Sequence, residues 1–231
     1  AVAPASETPN KRPYSAWFKY RTDVEDDWNV VGDPAKPAIV SIRPKPLRKN
    51  PEKRILVAYP RASLAYDIAI TKILDVFDEK EINAHFTVMN FELKNDRGKE
   101  MIRFAEDNKF DLIFAMGSES TAWLYDHYQT GLIPVVSVCS KDPVQLGQLK
   151  DYEKGSGNHF AFTSLNVPVE IQMSYLLDLK PDLKNLAILV DSKNISAVQT
   201  QAEPIAAKAR EKNVQALMGS VQSPAKAREE L

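Results

Sequence analysis

Short all-apolar runs alternate along this chain with amphipathic stretches, and an irregular segment breaks the alternation once. These observations predict an α/β protein of two Rossmann-like lobes with parallel sheets, behind an extended Pro-rich N-terminal arm. The expected divisions are 1–52 for the arm and linker, 53–141 for the first lobe, 142–156 for the hinge or crossover and 157–231 for the second lobe.

The arm holds eight of the 15 prolines, including Pro34, Pro37, Pro44, Pro46 and Pro51. Proline cannot donate to a ladder and restricts its predecessor, so an extended arm is expected, with one short strand over residues 38–42. Tyr14, Trp17, Phe18, Tyr20 and Trp28 are too many aromatics for a disordered tail, and they predict packing against a surface, the chain's own or a partner's.

From residue 53 the pattern is regular. Residues 55–59, 84–89, 110–116 and 134–138 read as strands of the all-apolar kind that parallel sheets bury on both faces. Helices are expected between them over 64–77, with Ser63 as N-cap, over 98–108 and over 117–129. In the second lobe, strands at 160–163, 185–190 and 214–218 alternate with helices at 167–179 and 196–212. Such alternation implies right-handed parallel crossovers. Ser223 and Pro224 read as the start of another helix, and the second lobe is expected to be incomplete.

Composition narrows the function. Thirty basic residues stand against 31 acidic ones, so there is no field to attract a nucleic acid. The longest apolar runs are strand-sized, too short to cross a membrane as a helix. Cys139 is the single cysteine, which removes an intrachain disulfide and any cysteine-based metal site; it reads as a small packing residue. The start Ala-Val-Ala-Pro fits signal-peptide removal, and a trimmed chain would begin in the same way.

In parallel α/β lobes ligands meet the loops at strand C-termini. After the first strand these loops carry Tyr59, Arg61 and Ser63, with Tyr66 and Asp67 in the first helical turns. After the third comes Gly117-Ser118-Glu119-Ser120-Thr121, whose hydroxyls and helix-start N–H groups suit an anion, or simply cap the helix. After the fourth come Ser140, Lys141 and Asp142; the second lobe offers Thr163 and Ser164, then Asp191, Asn194 and Ser196. Enzyme signatures are missing: the 117–121 loop lacks the second glycine of a nucleophile elbow, and no Gly-rich phosphate loop is present. His85, His127 and His159 fall in different segments without partners at metal spacing and read as packing or surface residues. No cofactor or metal is expected.

Ile133-Pro-Val-Val136, Asp142-Pro-Val144 with Gly147, and Gly157-Asn158 follow one another in the order and spacing of a known pattern. With Pro168-Val169, Gln172, Leu179-Lys-Pro181, Asn185 and Asn194-Ile-Ser196, the chain from Arg54 onward resembles the ABC-transporter substrate-binding family that includes predicted tryptophan- and tyrosine-binding lipoproteins. The resemblance implies a type I periplasmic-binding-protein fold, not an enzyme. It implies an extracytoplasmic location, an ABC permease or sensor as partner, and a small polar, amino-acid-like or anionic ligand trapped by closure. Tyr59, Ser63, Asp67, Ser118, Ser120, Thr121, Asp142, Asn194 and Ser196 match positions lining the ligand cleft of such proteins; Arg61 and Thr163 join them from the loop reading. Two departures concern the ligand. Phe160-Ala161 stands where the family commonly has Thr-Gly, and Arg61 where it often has His-Pro. Arg61 either pairs with a carboxylate or another anion or points outward. The alternatives to uptake are a sensing or protein-interaction domain of the same fold, and an α/β enzyme.

Overall fold

The computed structural model describes residues 12–46 and 48–221. Its contacts divide the chain into two compact units. One runs to Cys139 and takes in Asn158–Ala161; the other comprises Ser140–Gly157 and the chain from Phe162.

The first unit carries strands β1 (Trp28–Asp33), β2 (Lys36–Pro44), β3 (Lys53–Tyr59), β4 (Ala84–Asn90), β5 (Leu112–Met116), β6 (Val135–Val138) and β7 (Phe160–Ala161). They form one sheet in the order β1-β2-β4-β3-β5-β6-β7. From β4 to β7 neighbours pair in parallel, as the all-apolar runs predict, while β1 and β2 add an antiparallel hairpin at the β4 edge. Helices α1 (Val24–Asp27), α2 (Leu64–Glu79), α3 (Asn95–Asp107) and α4 (Gly117–His127) complete the unit.

The segment read as an arm is therefore largely part of the sheet. Its prolines lie where no ladder donor is needed, Pro34 between the strands and Pro44 at the end of β2. Between them Val40 and Ile42 alternate into the core with no exposed surface. Residues 12–23 form a strap beside α2. Tyr14, Phe18 and Trp28 are buried with Val57, Tyr59, Ile70 and Phe86 in one core. Trp17 and Phe18 meet the Tyr59 ring edge-on at 5.7 and 5.6 Å. The strap's hydrogen bonds fall on every fourth residue of α2: Lys19 N–H donates to Asp67 Oδ1 (3.1 Å), Arg21 N–H to Thr71 Oγ1 (3.4 Å), and the Arg21 guanidinium reaches Asp75 (3.0 Å). At the other end of α2, Arg48 lies over the Trp28 ring and donates to the carbonyls of Phe77 and Ile82, binding the helix end to the segment before β3.

The second unit holds α5 (Val169–Leu179), β8 (Asn185–Val190), α6 (Ile195–Ala197), a π turn (Val198–Ala202), α7 (Glu203–Glu211) and β9 (Gln215–Ser220). β8 and β9 pair in parallel, and α5 and α7 pack through Val169, Met173, Ile205 and Ala209. The expected single helix over 196–212 is interrupted because Pro204 has no N–H. The carbonyl of Thr200, its partner in a regular helix, accepts instead from Asn166 Nδ2 at 3.0 Å.

A second correction concerns the strand placed at the start of the second lobe. Only Phe160–Ala161 is extended, and it pairs with Val135 and Val136 of β6 in the first sheet. The β6 edge was open, and Phe160 gains burial there against the rings of Tyr125 and His159. The helix start expected at Ser223 lies outside the described residues.

Candidate functional site

β3 and β5 lie side by side, with Ala58 opposite Ala115, so the loops after them emerge together at the C-terminal edge. There the chain turns directly from β5 into α4 through Gly117, whose φ is +78°. A Cβ at this position would lie 2.0 Å from the Tyr66 hydroxyl, so both the backbone conformation and the space require glycine.

The hydroxyls of this turn are mostly directed inward. Ser120, without exposed surface, donates to the Ala58 carbonyl at 3.0 Å and ties α4 to β3. Thr121, equally buried, donates to the Gly117 carbonyl at 2.8 Å. Ser118 is buried in the first turn. None of them is the N-cap: that position is Met116, which supplies no side-chain bond. Ser63 precedes α2 in extended conformation, and its backbone carbonyl, not its hydroxyl, accepts from Tyr66 and Asp67.

Arg61, on the loop after β3, donates from Nε to Glu119 Oε2 at 2.7 Å, an exposed pair joining the two loops. The Tyr66 hydroxyl lies over Gly117 and feels both charges; burial, then Glu119, raise its pKa, and Arg61 lowers it. Tyr59 ends β3 with its ring in the core and its hydroxyl unpartnered; burial pushes its pKa well above the ordinary value. Asp67 is buried under the strap. Burial raises its pKa, and the bond from Lys19 N–H opposes that rise.

In the second unit Asp142 organises the irregular segment. Its Oδ1 accepts from the N–H groups of Val144 (2.9 Å) and Gln145 (3.1 Å), and its Oδ2 accepts from the Tyr152 hydroxyl. Thr163 is exposed. Asn194 Oδ1 caps α6 through Ala197 N–H (3.3 Å) and accepts from Ser196 Oγ (3.1 Å). This turn borders a cavity of about 350 Å³ at the end of β8, lined also by Val190, Asp191 and Gln201.

Within the first unit, then, Tyr59, Arg61, Ser63, Asp67, Ser118, Ser120 and Thr121 cluster around the ends of β3 and β5. Within the second, Asn194 and Ser196 share one turn, while Asp142 shapes another segment. Tyr66 and Glu119, named in the loop reading but not among the expected cleft-lining residues, belong to the first cluster. The available signal was Gly117: a glycine placed directly between an apolar strand and a helix marks a close approach. His85, His127 and His159 remain apart. His85 bonds Ser41 and Arg43, His127 stacks on Trp123, and His159 packs on Tyr128. Cys139 is half-buried at φ +55°, its Sγ directed to the Ala65 carbonyl, and burial raises its thiol pKa.

An open parallel sheet with helices between its strands, followed by a second βα unit, is the type I periplasmic-binding-protein fold. Solved structures share it. A conserved domain protein from Vibrio cholerae O1 biovar El Tor is 18% identical at a TM-score of 0.62, over 77% of this chain and 60% of its own. The ABC domain from Streptococcus pneumoniae in complex with L-Trp is 20% identical at 0.62, over 78% and 61%. A branched-chain amino acid ABC transporter from Thermus thermophilus with bound valine is 14% identical at 0.55, over 78% and 48%. This chain thus spans about three fifths of the length of the first two. No curated protein sequence matches it. Residues 65–226 match the family model of the ABC transporter substrate binding proteins, and the chain belongs to that family.

Proposed function

We propose that the chain is the extracytoplasmic binding component of an ABC uptake system and takes a small polar or amino-acid-like ligand. The family match over residues 65–226 carries this reading. The grouping of polar side chains at the strand C-termini supports it, since open α/β sheets bind ligands there. The bound L-Trp and valine of two structurally similar proteins make amino acids the first ligands to test. Among the described residues no helix is long and apolar enough to cross a membrane.

In this reading Arg61, Ser63 and Ser118 are the first unit's candidates for ligand contact, and Thr163, Asn194 and Ser196, taken by themselves, are the second unit's. Tyr59, Asp67, Ser120, Thr121 and Asp142 hold those loops in place, because their polar atoms are buried or already engaged within their own units.

Thermal unfolding of the whole chain against the twenty amino acids and a set of small carboxylates tests the proposal. A saturable rise in Tm with at least one amino acid is expected. A folded protein whose Tm no member of either set moves would overturn it.

A further inference from the structure

β1 (Trp28–Asp33) is the last strand on its side of the first sheet, and only β2 pairs with it. Antiparallel residues alternate between bonded and unbonded pairs, so the register tells which backbone groups β2 leaves over. Lys45 N–H donates to the Asp27 carbonyl at 2.7 Å, one step beyond the Trp28–Pro44 pair. Asn29 and Val31 therefore face β2, while Val30 and Gly32 turn both N–H and C=O outward. Pro44, which has no N–H, stands opposite Trp28 as this assignment requires. Among the described residues no hydrogen bond from another segment reaches the outward groups of Val30 and Gly32. Neither proline nor lysine interrupts the strand, and Val31 is 61% exposed. The edge opens on a hollow of about 780 Å³, bordered also by strap residues 12–14.

The hollow has a charge polarity. At the start of β1, Arg12 donates to the Glu25 carboxylate and Lys45 to the Glu25 carbonyl. That carboxylate is shared between Arg12 and Tyr20, so Lys45 has no carboxylate of its own among the described residues. At the other end Asp33 is exposed, its Oδ1 accepting from Ala35 N–H at 2.9 Å, with no cation against it among the described residues. We propose that β1 pairs with β1 of a second copy, antiparallel about a two-fold axis at Val30, joining two first-unit sheets into one. The axis sets each Val30 N–H against the Val30 carbonyl of the other copy, and each Gly32 N–H against the other's Trp28 carbonyl. Trp28 N–H needs no partner there, since it already donates to the Val24 carbonyl. The same axis brings Asp33 of each copy to the Lys45 end of the other's hollow, so the two unpaired charges answer each other twice. Asp27, which shares that row, borders a separate hollow with Arg48 and Lys49. The charge pattern selects a second copy over an arbitrary strand, because its acid lies at the end that arrives beside the cation. One strand pair is small beside the roughly 1,200–2,000 Å² of a stable interface, so a weak dimer is expected.

Sedimentation velocity of the full chain from about 5 μM to about 1 mM should show a reversible monomer–dimer equilibrium. Val30→Pro removes the central N–H, which faces outward and carries no ladder bond within the chain, and should weaken the dimer by about tenfold or more. Lys45→Glu and Asp33→Lys should each weaken it about tenfold, since symmetry turns two attractions into two repulsions. An equimolar mixture of these two charge variants should recover the wild-type dissociation constant within about threefold, because in the heterodimer both contacts again join opposite charges. Tm values confirm that each variant is folded. A chain that stays monomeric over the whole range overturns the proposal. So does a dimer that survives Val30→Pro, or one whose charge variants associate as the wild type does and gain nothing on mixing.

Discussion

The two parallel sheets follow the same alternation of strand and helix but differ in how completely their strands are covered. In β3, Ile55 to Tyr59 are all buried, one parity facing α2 and the strap, the other facing the side where α4 packs. In β8, Asn185–Val190, no residue is fully buried: half-covered and exposed positions alternate. Leu189, Leu217 and Met218 of the β8–β9 pair are exposed, as are Ile171, Tyr175 and Leu179 on α5. Both strands read in sequence as continuous apolar runs. A continuous run records what both faces of a strand are suited to meet; among the described residues only the first sheet is met on both.

Glycines show the same contrast at atomic scale. Gly117, Gly147, Gly155 and Gly157 all have positive φ. A Cβ at Gly117 would strike Tyr66, whereas at the other three nothing stands within 4 Å. One backbone requirement is shared, and the packing requirement belongs to the first unit alone.

The largest effect should come from the strap. Phe18→Ala removes a ring that is 1% exposed and should cost about 3–5 kcal/mol, whereas Leu179→Ala, at a position 85% exposed, should stay within about 0.5 kcal/mol. Urea unfolding of the two variants followed by far-ultraviolet circular dichroism, to which the helices and strands of both units contribute, measures the two losses. Comparable losses in the two variants would break the contrast. Next comes Gly117→Ala. The left-handed conformation costs about 1–2 kcal/mol and the overlap with Tyr66 adds roughly 1–3, while Gly155→Ala should cost only the conformational part. Differential scanning calorimetry of the two variants measures the gap, and its absence would show that Tyr66 gives way freely.

The smallest effect is a pH dependence at the hairpin seam. Arg43 donates to His85 Nδ1 at 3.1 Å, so the neutral ring presents Nε2–H to Ser41 at 2.8 Å. Burial first, then Arg43, lower the pKa; Glu52 opposes the shift and Arg54 adds to it. With the folded value below the unfolded value of about 6.5, the neutral ring's contribution is complete above that pH and is lost as pH falls through and below it. Tm should therefore drop more between pH 7.5 and 5 in the wild type than in His85→Gln. Equal drops would remove the seam from the first unit's stability.

The central strands and the helices beside them were legible because burial on two faces writes an all-apolar run and a helical stripe into the chain itself. One strand of the hairpin was legible over residues 38–42, where Val40 and Ile42 carry the period of two that marks a half-buried strand; its partner β1 and their place in the sheet were not. Phe160–Ala161 could not be assigned from two residues, since its place depends on an edge some 25 positions earlier in the chain, at Val135 and Val136. At the candidate site the loops were readable from their position after strands. Which hydroxyls turn inward was not, because Ser120 finds its acceptor at Ala58, far away in sequence.

Cys139 offers a clock. It is the only thiol, it is half-covered against Ala65 at the start of α2, and burial holds it protonated. A thiol reagent therefore meets a partly covered sulfur that must first lose its proton, and its rate reports how closely the end of β6 lies on α2. A change elsewhere that loosens the end of β6 should speed the labelling, read at one known atom and without altering the chain.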